Sequence, residues 1–400
     1  MWASLGLAAM SRRWVRWMPA AAMPAIVAGV VLAGPLQAQA PATVPARTAA
    51  QVLALAVASH PQPLSGTLEE TADLGLPQLP AIATGGASSQ SGAAGPAAGL
   101  GQLVAFLTAP HTARVYLDGA GSQRVQLMDS LAERDVVHHG TTVWTYDSAA
   151  NTATKYTVSN PLRPGAATGG LAPPNSKPVP GVATLPPMAP HDANQVPGSP
   201  VQTPAAIAAD ILKNLDPGTA VSLGANVTVA REPAYSLELV PRTAATLVAK
   251  VTIAVDANNG MPLRVTVQAK GQDKAAFEVG FSQLTLAAPA ASMFTFTPPP
   301  GATVTNSAVP LPQRSSGKTL DGGKAPVSVS GTGWAAILQA PAGTVPAGMT
   351  STPVLAQLLQ AVPGGHALST SLFTVLVTPD GALYAGAVPL AALQPASAAR

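Results

Sequence analysis

The chain has 400 residues, no cysteine, and a formal charge of +3 from 21 basic and 18 acidic residues. Without cysteine there is neither a disulfide framework nor a thiol to carry an N-terminal lipid. Arg12, Arg13 and Arg16 are the only charged residues before position 41, so the remainder is neutral and lacks the basic surface that nucleic acid requires.

The three arginines are followed by an uncharged apolar run from Met18 to Gly34 and by the small-residue pattern Ala38-Gln39-Ala40. Basic, apolar, small is the order of a secretory signal, predicted over residues 1–40. The alternative is an uncleaved anchor, but the run is short for a spanning helix and Pro19 and Pro24 interrupt it. Pro41 makes cleavage after Ala38 or Ala42 an alternative to Ala40, and Met10 an alternative start.

From Thr48 to Ser59 the spacing of Val52, Leu53, Leu55 and Ala56 predicts a short helix, ended by His60-Pro61. Gly66 to Glu70 reads as a strand, and residues 84–101 as a flexible Gly-rich loop. Period-two alternation then predicts strands at Thr112–Asp118, Arg124–Met128, Asp135–His139, Thr141–Asp147 and Thr152–Val158. Between Pro161 and Pro204 there are twelve prolines and few bulky apolar residues, which predicts a disordered insertion over 160–203.

Thr203-Pro204 caps a second helix whose apolar stripe is Ile207, Ile211, Leu212 and Leu215. Further strands are expected at Ala220–Leu223, Asn226–Arg231, Tyr235–Val240, Val248–Val255, Leu263–Ala269, Phe277–Leu286 and Met293–Thr297. On the central ones apolar residues occupy one face and Glu238, Lys250, Thr252, Arg264, Thr266, Gln268 and Glu278 the other. Residues 301–326 read as a linker, and 327–394 as a small α+β region with a helix from Pro353 and a hairpin turning at Pro379-Asp380-Gly381. The fold class is α+β, mainly antiparallel β.

No catalytic constellation accompanies this pattern. His138-His139 point to opposite faces of a strand and suit no shared metal, reading instead as exposed histidines near a turn. There is no Gly-x-Ser-x-Gly and no HExxH, and Gly317-Lys318-Thr319 lacks the first glycine of a phosphate loop. In Glu69-Glu70 one carboxylate is expected in solvent and the other beside an arginine. The expectation is a protein that is not an enzyme and needs no metal or cofactor.

Several stretches carry a family resemblance: GTLEE at Gly66, HTARVYLDGAGSQRVQLMDSLAERDVVHHGTTVWTYDSAANTATKY from His111, PAYSLELVPR from Pro233, VTIAVDANNGMPLRVTVQAKG from Val251, AFEVGFSQL from Ala276 and FTFTPPPGA from Phe294. In them the chain resembles the actinobacterial LolA-like cell-envelope proteins, relatives of the lipoprotein carriers LolA and LolB, of LppX and of the sensor RseB. The resemblance implies a curved half-barrel sheet over 41–300, covered by a few helices, with a hydrophobic cavity for lipid acyl chains or a lipoprotein. Its RseB branch implies instead a regulatory or scaffolding module whose C-terminal part docks a membrane protein partner.

The residues that could line such a cavity are Val115, Leu117, Val125, Leu127, Trp144, Tyr146, Tyr235, Leu237, Leu239, Val251, Ile253, Leu263, Val265, Val267, Phe277, Val279 and Phe281. The same residues would also build a filled core, and alternation alone does not separate the two.

Overall fold

The computed structural model describes residues 44–76, 110–128, 133–157, 203–308, 327–346, 348, 350 and 353–398. The expected signal segment, the Gly-rich loop and nearly all of the Pro-rich insertion lie outside them.

Helix α1 (Ala49–Val57) opens the described chain, capped by Thr48 in a reciprocal box with Gln51. Strands β1 (Leu64–Ala72), β2 (His111–Leu117), β3 (Gln123–Met128), β4 (Glu133–His139), β5 (Thr142–Asp147) and β6 (Thr152–Thr157) follow. Helix α2 (Pro204–Lys213) starts on the Thr203 cap with proline in its first turn. Then come β7 (Thr219–Leu223), β8 (Val227–Val229), β9 (Glu232–Pro241), β10 (Val248–Asp256), β11 (Pro262–Ala269), β12 (Ala275–Thr285) and β13 (Thr303–Ala308). These form one 13-stranded sheet in the order β13-β6-β5-β4-β3-β2-β1-β12-β11-β10-β9-β7, with β8 beside β9. Its ends do not meet, so the sheet is open and curved, and apart from the β13–β6 pair it is antiparallel. The mainly antiparallel architecture is as the alternation predicts.

Two segments differ from the sequence expectation. Thr303–Ala308, read as the start of a linker, is strand β13, pairing parallel to β6. Met293–Thr297, read as a strand, contains the end of a 3-10 turn (Ala291–Phe294) that buries Phe294. Its alternating Phe294 and Phe296 reflect a half-buried extended segment without a ladder partner.

A second sheet of six strands comprises β14 (Ser328–Ser330), β15 (Ile337–Ala340), β16 (Gln360–Val362), β17 (Gly365–Ser369), β18 (Thr374–Val377) and β19 (Leu383–Gly386), ordered β14-β15-β19-β18-β17-β16. Helix α3 (Pro353–Leu358) precedes β16, and α4 (Leu390–Ala398) covers the face bearing Ala367, Leu376 and Tyr384. Among the described residues no helix is long and apolar enough to cross a membrane.

Candidate functional site

Strand register lays the apolar residues of the large sheet out in cross-strand rows on the face that carries α1 and α2, here called the inner face. One row runs Leu239, Val251, Val267, Phe277 and Ala72, and the next runs Leu237, Ile253, Val265, Val279 and Glu70. Tyr235 and Val255 pair beyond them, and Phe281 lies opposite Leu68. The face continues through Ala113, Val115 and Leu117 to Val125 and Leu127.

Over β9–β12 this face is filled. Val52 and Ala56 of α1 and Ile207 and Ala208 of α2 pack on Tyr235, Leu237, Leu239, Val251, Ile253, Val265 and Val279 in one buried cluster. Leu237, Ile253, Val265 and Val279 are 0% exposed. Val267 and Phe277, partly buried, pack against its border.

The second sheet enters the same cluster through Trp334, Leu372, Phe373 and Ala387. The Trp334 indole N–H donates to the Thr219 hydroxyl at 2.8 Å, and Gly333 before it lies so close to the Asp216 carboxylate that a Cβ there would overlap it. Further backbone and hydroxyl bonds fasten the second sheet. The Leu247 N–H and the Thr246 hydroxyl both donate to the Ala387 carbonyl, at 2.7 and 2.8 Å, and the Ser371 N–H donates to the Leu74 carbonyl at 3.0 Å.

A separate cluster joins Leu64, Leu68, Ala113, Val115 and Val125 of β1–β3 to Val229, Ala234, Ala254, Met261, Leu263 and Phe281, with Leu117 and Leu127 only partly buried at its margin. Gly66 gives room to the Phe281 ring here, since a Cβ would stand 2.9 Å from it and 2.6 Å from the Gln283 carbonyl.

Trp144 and Tyr146 share a face, but the opposite one. Val125 pairs with Val136 and Val136 with Thr145, so Trp144 and Tyr146 lie on the outer side with Arg124, Asp135 and Val137. Phe296 covers both aromatics, at ring-centroid distances of 5.4 and 5.8 Å, and Lys155 Nζ lies 5.8 Å from the Trp144 ring. Arg124 bridges Asp135 at 2.5 Å and donates to the Met293 carbonyl, tying down the same segment. Burial drives the Asp135 carboxyl upward while Arg124 opposes the shift. Both sides of β4–β6 bury residues, Asp135, Val137 and Ala153 on the outer side and His138, Val143 and Tyr156 on the inner.

The remaining polar candidates are placed as follows. His138 is buried, not exposed; its ring nitrogens lie 2.9 and 3.0 Å from the Gly121 and Gly140 carbonyl oxygens, so it ties two turns together. His139 is exposed and meets the Ser122 hydroxyl at 2.9 Å. Glu69 is in solvent, as expected. Glu70 is 8% exposed and, among the described residues, has no arginine or other partner. Burial alone raises its pKa from 4.5 to about 7. The sequence expectation of an arginine beside it is not met, because its place in an apolar row is set by strand register.

No family model matches the chain, and no curated protein matches it. Similar solved structures include the Pseudomonas aeruginosa MucA/MucB complex, with 16% identity over 87% of this chain and 96% of that one at a TM-score of 0.38. An uncharacterised conserved protein from Thermus thermophilus has 12% identity, coverages of 65% and 99%, and a TM-score of 0.31. A LolA superfamily protein from Nitrosomonas europaea has 13% identity, coverages of 63% and 99%, and a TM-score of 0.22.

Proposed function

We propose that the protein is an exported, non-catalytic binding protein of the cell envelope that takes lipid acyl chains, free or on a lipoprotein, against the inner face of its sheet. The observation that carries this is the one-sidedness of that face: apolar rows run from β9 to β3, while the outer face of β9–β12 carries Glu238, Lys250, Arg264 and Glu278. Over β9–β12 the rows are occupied by the protein's own helices, and Val115, Val125 and Phe281 are buried in the second cluster, so the part of the face open to a ligand is the margin at Leu117 and Leu127. Each methylene buried there contributes about 0.8 kcal/mol. Native mass spectrometry of the purified protein, followed by titration with dansyl-labelled undecanoic acid, tests this. Co-purified lipid or saturable uptake is expected, and a ligand-free protein that takes up no probe overturns it.

A second reading, the docking of a membrane protein partner by the C-terminal part, has its own observation. A cross-strand row on the second sheet runs Leu368, Val375, Ala385, Leu338, Val329. Leu368 and Val375 pack on the large core, whereas Leu338 and Val329 are 42% and 44% exposed beside the edge strand β14. An extended segment of the partner added to β14 would continue that row. Truncation after Pro310 would also strip Trp334 and Phe373 from the core, so the suitable probe is Val329→Glu with Leu338→Glu. Loss of partner capture by the folded double variant supports docking, and unchanged capture excludes it.

A further inference from the structure

From Val327 to Ala398, the stretch that holds the second sheet, Asp380 is the only aspartate, glutamate, lysine or arginine. It stands at a cavity of about 560 Å³, a volume within the ordinary range of small-ligand sites. Three pieces of chain wall this cavity: Pro363 after β16, Thr378, Pro379 and Asp380 between β18 and β19, and Gln394 and Ser397 of α4. The walls are tied in place. The Gln394 amide donates to the Pro363 carbonyl at 3.3 Å, the Gly343 N–H to the Asp380 carbonyl at 2.8 Å and the Val345 N–H to the Gly381 carbonyl at 2.9 Å.

The Asp380 side chain also serves its turn, accepting from the Thr378 hydroxyl and from the Ala382 N–H at 3.4 Å. Asparagine would make the same bonds, so the turn accounts for an acceptor but not for a charge. Among the described residues that line the cavity none is basic, and Thr378, Gln394 and Ser397 add neutral oxygens to the carboxylate. An anion entering there meets a like charge, whereas a cation is attracted and finds acceptors for its hydrogens. The rings of Pro363 and Pro379 offer apolar surface to a hydrocarbon stem. We propose that this cavity binds a primary ammonium group on a short aliphatic stem, the chemistry of a lysine side chain or of a free alkylamine, with Asp380 as its counter-charge. Neither acyl-chain binding at the large sheet nor strand addition at β14 is needed for it.

Acetyl-lysine methylamide, pentylamine and acetyl-norleucine methylamide, whose side chain has the lysine stem without its ammonium, are the probes. Each is titrated into isotope-labelled protein while the amide NMR shifts of Gly364, Gly381 and Ser397 are followed. Wild type is expected to bind the lysine derivative saturably and about tenfold tighter than the norleucine derivative, the size of one hydrogen bond to a charged group. Pentylamine binding as tightly as the lysine derivative assigns the site to free amines, and weaker binding assigns it to lysine within a peptide. Asp380→Asn, which keeps the turn, should lose the preference for the ammonium, and Glu69→Gln, on the solvent face of the large sheet, should keep it. Circular dichroism establishes that both variants are folded. Equal binding of the lysine and norleucine derivatives by wild type overturns the proposal, as does an undiminished preference in Asp380→Asn. Binding of neither amine, or shifts confined to residues outside the cavity, overturns it as well.

Discussion

The two halves of the large sheet use the same strand alternation to different ends. Over β9–β12 the inner rows meet α1, α2 and the second sheet, and Leu237, Ile253, Val265 and Val279 are wholly enclosed. Over β1–β3 Leu68, Val115 and Val125 are buried in a second cluster with Leu117 and Leu127 partly buried at its margin, and β4–β6 bury Val137 and Ala153 on the outer side and Val143 and Tyr156 on the inner. Apolar alternation therefore marks a helix-covered scaffold in one half and, in the other, a second cluster open only at the margin of Leu117 and Leu127. What distinguishes them is the covering element, not the strands.

Side-chain truncation tests this division most directly. Ile253→Ala removes atoms from a site enclosed by two helices and is expected to cost about 3–4 kcal/mol, through lost transfer energy and the cavity left behind. Leu127→Ala, at the half-covered margin, should cost about 1 kcal/mol, because solvent already reaches the side chain. Urea unfolding of both variants is the measurement. Equal losses would mean that the β1–β3 half is packed as tightly as the scaffold and has no surface to offer.

Glu70 sharpens the comparison through pH. Its folded-state pKa lies near 7 against 4.5 for a free carboxyl, so the folded chain retains a proton that the unfolded chain has released. The stability this confers is fully present below pH 4.5 and is lost as pH rises to about 7, a change of about 3 kcal/mol for a group so little exposed. Relative to wild type, Glu70→Leu should therefore gain about that amount between pH 4.5 and pH 8 in urea unfolding free energy, and parallel stability curves would mean that the carboxyl is solvated in the folded chain.

Most of the scaffold half was legible in the sequence because each of its strands sorts its residues cleanly by parity: Tyr235, Leu237 and Leu239 against Ser236 and Glu238, or Val265 and Val267 against Arg264 and Thr266. The other half was not. Val143-Trp144-Thr145-Tyr146 carries apolar groups at both parities, and which side is dry depends on Phe294 and Phe296, about 150 residues further along. Strand β13 was missed because Thr303–Ala308 has hardly any bulky side chain; Val304 is exposed, and the strand is held by its ladder to β6. Glu70 and His138 were misjudged for one reason: burial of a polar side chain is decided by neighbours that come from distant strands or turns.

The attachment of the second sheet gives the finest distinction. Trp334 could hold the two sheets by its bulk within the core or by its hydrogen bond to Thr219. Thr219→Val keeps the volume and removes the hydroxyl, leaving a buried indole N–H without its acceptor, and should cost about 1–2 kcal/mol. Trp334→Phe removes the indole donor together with part of the ring, so its loss exceeds that of Thr219→Val by the missing ring atoms. If the double variant costs no more than Trp334→Phe alone, the two residues act through the one bond. If the losses add, the threonine contributes independently of the tryptophan, and the second sheet is held by apolar packing against β7 and β9 in the same way as α1.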